Sequence, residues 1–338
     1  DQEGTMRLRV RGSGAQGALD NVLTRATRPR AGRVYTALLL RDDGGILADL
    51  LIVGEPGGAL LLAEGASVEE VIGCIRHHQP VGSRVELSDL ALSHAMLTIE
   101  GPFAWELLGE LAESEAFAAP FHTAFQIEAH NCVAIRAGIA GEYAYHLLVA
   151  REHESGLRAR LAELAPRFEL QVIEPAARAL AALEQGSFTM GLGAADALTP
   201  FELQLQWRID YKLGVPGISA VRALRNDGKA GRITWWVAPQ DAAPSSGSAV
   251  TFGGREVGSV IHAQHSPVLE CAVGLALLER AVAHPDLRMQ CDCGPLHTVA
   301  PPLLNNRSLF VHPHRHSFAR RHEGSYPPLS RIKLETAS

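Results

Sequence analysis

The sequence predicts an α+β fold built from antiparallel sheets, and three observations carry that expectation. Short apolar runs alternating with polar residues recur along most of the chain. The helical segments between them are short and bounded by Gly, Pro and capping residues. Strands and helices do not alternate in the βαβα order that a parallel sheet requires.

The first segment, MRLRV at 6–10, alternates apolar and basic residues, as an antiparallel strand with one wet face does. Gly12, Gly14 and Gly17 then spell G-x-G-x-x-G. A dinucleotide-binding unit would open on a buried, nearly continuous apolar strand and continue as βαβ, and neither holds here. The stretch ALDNVLTRA reads as a helix. Arg41–Val53 reads as a hairpin: Leu38–Leu40 closes one strand, Asp42-Asp43-Gly44-Gly45 turns, and Ile46–Val53 returns. That return strand carries a single carboxylate, Asp49, inside an apolar run. Burial of a carboxylate costs free energy unless it is paired, so Asp49 either caps a strand end or serves chemistry.

Another short strand lies in GGALLLAEG, followed by an amphipathic helix at Ser67–His78 with Ser67 as N-cap and Glu70 completing a capping box. Strands return in SRVELSDLALSHAMLTIEG, FHTAFQIEAHNCVAIRAG and EYAYHLLVA, with helices at PFAWELLGELA and His153–Ala165 between and after them. PAARALAALEQG is an Ala/Leu-rich helix stopped by Gly186, and FTMGLGAADAL is a loop. Thr199, Pro200 and Glu202 mark the start of a second helix through TPFELQLQW, and a third follows in YKLGVPGISAVRALRNDG. From Gly231 about five short strands, with a turn at Gly253-Gly254, predict a small barrel.

Composition narrows the class. With 46% apolar and 20% charged residues in 338, the chain has the make-up of a water-soluble globular protein. A net charge of −6 gives no pull toward nucleic acid or anionic membrane, and no apolar run is long enough for a transmembrane helix. The first residues lack the apolar core of a signal peptide, and five cysteines suit reduced thiols, so the expected location is cytoplasmic. Arg307–Lys333 holds six Arg/Lys, four His and one acid, which predicts a basic, loosely packed tail lying on the body or on a partner. Cys291-x-Cys293 with His297, and His312-x-His314-x-His316, have ligand-like spacing. The plainer reading is core thiols and a polar tail, and no metal is expected.

Six motifs in order resemble the glycine-cleavage T-protein (aminomethyltransferase) superfamily. Gly44–Leu50 resembles G-G-I-hydrophobic-D-D-L, and Arg136–His146 resembles R-x-G-Y-T-G-E-x-G-Y-E. Ala177–Gly186 resembles A-R-D-x-L-R-L-E-A-G; Thr199–Glu202 with Trp207 resembles T-P-x-E and G-L-x-W. Lys212–Leu224 resembles K-x-x-F-I-G-x-x-A-L, and Gly258–Ala276 resembles the strands of the family's C-terminal barrel.

The resemblance implies a three-domain cloverleaf around a tetrahydrofolate site. It assigns residues 1–90 and 176–227 to a discontinuous central domain carrying Asp49 and Arg178. Residues 91–175 form an α+β domain carrying His146, 228–311 a small β-barrel, and 312–338 the His/Arg-rich tail. The family's catalytic aspartate falls on Asp49 and its neighbouring acid on Ala48. The family's arginine falls on Arg178, whose guanidinium could bind a carboxylate or phosphate bidentately or form an inter-domain salt bridge. The glutamate that clasps the pterin falls on His146. A neutral imidazole accepts at most one of the two hydrogen bonds that a carboxylate accepts there, so His146 is either a new acid–base group or a filler. Glu142 and Tyr145 flank it. Met190 stands where the family has tyrosine, Leu61 resembles a second lost tyrosine, and Trp207 is core, pocket wall or stacking platform.

The implied activity is a one-carbon (methyl or aminomethyl) transferase or demethylase acting on a small metabolite, with tetrahydrofolate as acceptor or donor. A repurposed, folate-independent enzyme using Asp49 and His146 is the alternative. A folate-binding assembly protein is a third, weakened because YKLGVPG lacks the cysteine of that group's motif. A carrier protein or a second copy of the chain are the expected partners of the basic tail.

Overall fold

A computed structural model describes residues 4–113, 121–187, 190, 198–228, 230–238 and 243–332. Three antiparallel sheets organise the chain, as α+β patterning requires. The first comprises β1 (Thr5–Arg11), β2 (Val34–Leu40), β3 (Ile46–Glu55), β4 (Gly58–Glu64) and β5 (Glu86–Asp89), in the order β2-β3-β4-β1-β5. α1 (Ala15–Asp20) and α2 (Val68–His78) cover one face, where Leu8, Val10, Ile52, Leu61, Val71 and Ile75 are fully buried. The Ser67 hydroxyl accepts from Glu70 N at 3.2 Å, so α2 begins directly after the residue whose side chain caps it.

The second sheet contains β6 (His94–Gly101), β7 (Ala124–Ile127), β8 (Cys132–Ile135) and β9 (Tyr143–Ala150), in the order β6-β9-β8-β7. Its outer face packs on α3 (Ala104–Ala112) and α4 (Arg151–Phe168). Its inner face meets the first sheet: Met96, Ile135 and Leu148 pack with Val34, Val53, Leu60 and Leu62. Alternation along each strand therefore splits every residue between an outer core and this inter-sheet seam.

The third sheet is a closed barrel of β10 (Arg232–Ala238), β11 (Ala249–Phe252), β12 (Arg255–Ser266), β13 (Cys271–Leu278), β14 (Arg288–Cys291) and β15 (Gly294–Val299). Another core joins it to α5 (Pro175–Glu184), α6 (Ile218–Asp227) and the Leu38, Leu40 and Ile46 side chains of the first sheet.

Several local expectations change. The helix expected through ALDNVLTRA ends at Asp20, because Leu23 bridges to Leu39 and the Thr24 hydroxyl accepts from Leu38 N at 3.0 Å. The basic face of β1 is not wet at Arg7, which is 2% exposed and donates to His94 O at the seam. Thr199, Pro200 and Glu202 form the expected reciprocal cap, with Thr199 N donating to Glu202 Oε2 at 2.7 Å. No α-helix follows it. Gln204 turns left-handed at φ 58°, and Ile233 N takes Glu202 O at 2.9 Å, so the barrel's first strand captures the backbone instead. The FTMGLGAADAL loop lies, apart from Met190 and Leu198, outside the described residues.

The C-terminal segment is not loosely packed. Leu303 N donates to Glu184 O, the Tyr143 hydroxyl to Val311 O, and Phe318 N to Glu106. Val311 is buried, with Phe318 and Tyr326 packed around the same outer core of the second sheet. Apolar anchors spaced along the basic stretch pack it onto the body more firmly than its charge alone suggests.

Candidate active site

The β3–β4 hairpin sets the geometry. Glu55 pairs with Gly58 across Pro56-Gly57, and Leu51 pairs with Leu62. Two residues further on, the same register directs Asp49 toward Glu64, whose charge is felt at the Asp49 carboxylate. At the other end of β3, Gly44 turns the β2–β3 hairpin at φ +88°, and a Cβ there would meet Val221 Cγ2 at 3.1 Å. Glycine therefore serves both the turn and the packing of α6.

Asp49 is partly buried, its side chain 27% exposed, and its Oδ1 accepts from Arg208 Nη1. Arg208 ends the 3-10 turn Gln206–Arg208, whose carbonyl accepts from the Thr24 hydroxyl at 3.1 Å. Burial raises the Asp49 pKa above the ordinary carboxylate value. Arg208 opposes this by charge and hydrogen bond, and Glu64 adds to it. Glu64 in turn accepts from Arg178 Nη1 of α5 at 2.6 Å.

His146 and Glu100 face this group from the second sheet. His146 pairs in register with Thr98, and its Nδ1 lies 2.8 Å from the Thr98 hydroxyl. Burial, with the Arg178 charge second, lowers its pKa to about 4, so the imidazole is neutral at pH 7. Glu100, two residues along β6, accepts from Ala140 N at 3.0 Å. Burial raises its pKa; Ala140 N and Arg178 oppose this, while Glu142 and Glu64 add to it. Three carboxylates (Asp49, Glu64, Glu100), two guanidiniums (Arg178, Arg208) and one neutral imidazole thus converge where the sheets meet. With all three acids ionised, the group carries one net negative charge.

The other candidates lie elsewhere or at the margin. Tyr145 points away from His146 into the outer core and is 0% exposed, because neighbouring strand residues face opposite sides. Glu142 binds the C-terminal segment, accepting from Arg307 N at 3.0 Å and Ser308 N at 2.9 Å. Met190 packs partly buried against the core between α5 and the barrel. Trp207 is not core: it is 66% exposed, with the Arg208 guanidinium 5.0 Å from its ring centre. Glu184, on the same helix as Arg178, faces the barrel and accepts from Ser266 Oγ at 2.6 Å. Its pKa is raised by burial, against the pull of that hydroxyl.

The C-terminal histidines hydrogen-bond locally. Nδ1 of His316 accepts from His312 N at 2.8 Å, and Nδ1 of His312 from His314 N at 3.3 Å.

Glu64, Glu100 and Arg208 were not singled out from sequence. Glu64 carried a readable signal, since the two-residue Pro56-Gly57 turn fixes the register that sets it opposite Asp49. Glu100 and Arg208 carried none. Each reaches the site through a contact between segments far apart in the chain.

Residues 1–213, more than half of the chain, match the GCVT N-terminal domain family. The chain belongs to that family. This GCVT-family chain is 28% identical over 282 residues to the aminomethyltransferase of Geobacillus kaustophilus (strain HTA426), covering 81% of this chain and 77% of that relative. It is 27% identical over 306 residues to the aminomethyltransferase of Frankia alni (strain DSM 45986 / CECT 9034 / ACN14a), covering 88% and 83%. The glycine cleavage system aminomethyltransferase T from Bartonella henselae shares the fold of this GCVT-family chain. Its crystal structure superposes with a TM-score of 0.79 at 18% identity, over 89% of this chain and 84% of that one. Among the described residues, no helix is long and apolar enough to cross a membrane.

Proposed function

We propose that this chain transfers a one-carbon group, methyl or aminomethyl, between a small metabolite and tetrahydrofolate, with Asp49 as the reacting carboxylate. One observation carries the reading most directly. A desolvated aspartate, paired with Arg208 and within reach of the Glu64 charge, falls where the motif resemblance puts the superfamily's catalytic acid. Aminomethyltransferase relatives that cover more than three-quarters of the chain support the same class.

Each residue has a separable task. Arg208 holds the Asp49 carboxylate in one orientation and favours its ionised form, which is suited to stabilising positive charge on a reacting amine and to exchanging a proton with it. The Glu64–Arg178 pair extends the same wall and keeps Arg178 near His146. When bound, tetrahydrofolate supplies the nitrogen that accepts or gives up the one-carbon group. A pterin edge presents two donors, and the acceptor-rich set of Asp49, Glu64 and Glu100 fits such a ligand. His146 would meet one donor through Nε2, the ring nitrogen that Thr98 does not engage, and Glu100 on the neighbouring strand offers carboxylate oxygens for the other.

His146 also favours a second reading, in which Asp49 and a neutral imidazole act on a different small metabolite without folate. Calorimetric titration with tetrahydrofolate separates the two. Binding in the micromolar range, weakened about tenfold or more by Glu100→Gln, is the outcome expected for the folate reading. Absence of heat at high micromolar ligand, with intact fold, would overturn it. Turnover unaffected by Asp49→Asn would remove the central residue from both.

A further inference from the structure

The β14–β15 hairpin of the barrel carries two cysteines that the site described above does not use. Cys291 ends β14, pairs with Gly294, and is separated from it by the two-residue tip Asp292-Cys293. The turn folds the two sulfurs together, with Sγ to Sγ 3.0 Å, and both residues are only partly buried. Asp292 anchors the tip, its carboxylate accepting from Ser248 Oγ at 2.8 Å. Cys74 is also partly buried but stands apart from this pair, and Cys132 and Cys271 are buried within cores. The barrel tip is thus where two accessible thiols of this chain meet.

Two chemistries use such a pair, and the geometry separates them. The Cys291, Asp292 and Cys293 ligand atoms all lie within 4.8 Å of one another, as a metal site requires. At an ordinary zinc–sulfur distance of about 2.3 Å, however, sulfurs this close would subtend only about 80° at the metal, far below tetrahedral. Asp292 is already engaged by Ser248, and His297 lies beside Asp286 instead, 3.9 Å away. Sulfurs in contact need only a small side-chain rotation to bond covalently.

We propose that Cys291 and Cys293 are a thiol-redox modification site, converted to an intramolecular disulfide by low-molecular-weight disulfides. The step balances as thiol–disulfide exchange. The Cys293 thiolate attacks one sulfur of the external disulfide and expels the other half as a thiol. The Cys291 thiolate then attacks the Cys293 sulfur and expels the second half. Two electrons and two protons pass to the external disulfide, which leaves as two thiols. Burial, with the Cys293 thiol hydrogen bond next, pushes the Cys291 thiol up to about 11, which suits it to the second, intramolecular step. There the proximity of its partner compensates for a small thiolate fraction. The bond closes a ring of only three residues, so it constrains the unfolded chain little. It is a reversible modification rather than a staple.

The test uses the full chain, reduced and then incubated with oxidised glutathione at pH 8, quenched with an alkylating agent and read by intact mass and peptide mapping. The expected product has lost two hydrogens, carries no glutathione at the barrel tip, and yields a peptide with Cys291 and Cys293 joined. Dithiothreitol restores both thiols. Cys291→Ser, checked for fold by circular dichroism, should instead trap a stable glutathione adduct on Cys293. A lasting glutathione adduct on the wild-type tip, or two thiols that stay free, would overturn the proposal. So would purified protein holding one equivalent of zinc whose removal is needed before either thiol reacts.

Discussion

At the scale of single residues, opposing terms decide each charge state at the seam. Asp49 is pushed up by burial and by Glu64 and pulled down by Arg208, while burial and then the Arg178 charge both drive His146 down. A histidine whose pKa falls from its ordinary value near 6.5 to about 4 binds fewer protons folded than unfolded. Its penalty is absent above the unfolded value and grows as pH falls toward the folded one. Between pH 7 and pH 5 the wild-type chain should lose about 2 kcal/mol through this group alone. His146→Gln should lack that loss, measured as the difference in urea-unfolding free energy at the two pH values. Asp49 and Glu100 act in the opposite direction, since their raised values make folding costlier as pH rises, but they are common to both proteins and cancel. Equal pH dependence in the two proteins would mean that His146 is protonated in the fold.

Secondary-structure elements follow local chemistry until a neighbour offers the backbone something better. The β2–β3 hairpin obeys its turn residues: Gly45 N donates to Asp43 Oδ1, Gly44 N to Arg41 O, and Gly44 alone takes positive φ. Gly44→Ala should cost about 1–2 kcal/mol from backbone strain, before any clash with Val221. Chemical denaturation would measure it, and an unchanged midpoint would show that the turn can relax. The segment after Thr199 is the counterexample. Its cap forms as written, yet β10 takes the Glu202 carbonyl and Gln204 Nε2 donates to Ile233 O, so one turn is all that survives. That broken helix matters, because the 3-10 turn replacing it delivers Arg208 to Asp49.

Over the whole molecule, the C-terminal segment acts as a strap. It runs from the barrel across the second sheet, joined by Glu142 to Arg307 and Ser308, by Asn306 to Gly141, and by Arg321 to Glu169. Gly141, at φ +77°, is closed by the Asn306 side chain so tightly that a Cβ would lie 2.0 Å from Nδ2. Glu142→Ala removes charge-assisted bonds worth about 1.5 kcal/mol or more each. Trypsin should then cleave after Arg307, Arg315, Arg320 and Arg321 about tenfold faster or more, without loss of the global transition. An unchanged cleavage rate would leave the apolar anchors Val311 and Phe318 as the whole of the attachment.

Period, turn chemistry and capping are local properties, so the sequence by itself determined the α+β class, the antiparallel hairpins, the barrel and the aspartate on β3. Motif order determined the family resemblance in the same way. What local rules cannot contain is which distant segment reaches a given face. The pairing of Asp49 with Arg208, the approach of Glu100 to Arg178 and the capture of Glu142 by the strap all join residues far apart in the chain. Tertiary packing alone decided them, because the desolvation that shifts Asp49 and silences His146 exists only once two sheets close over both.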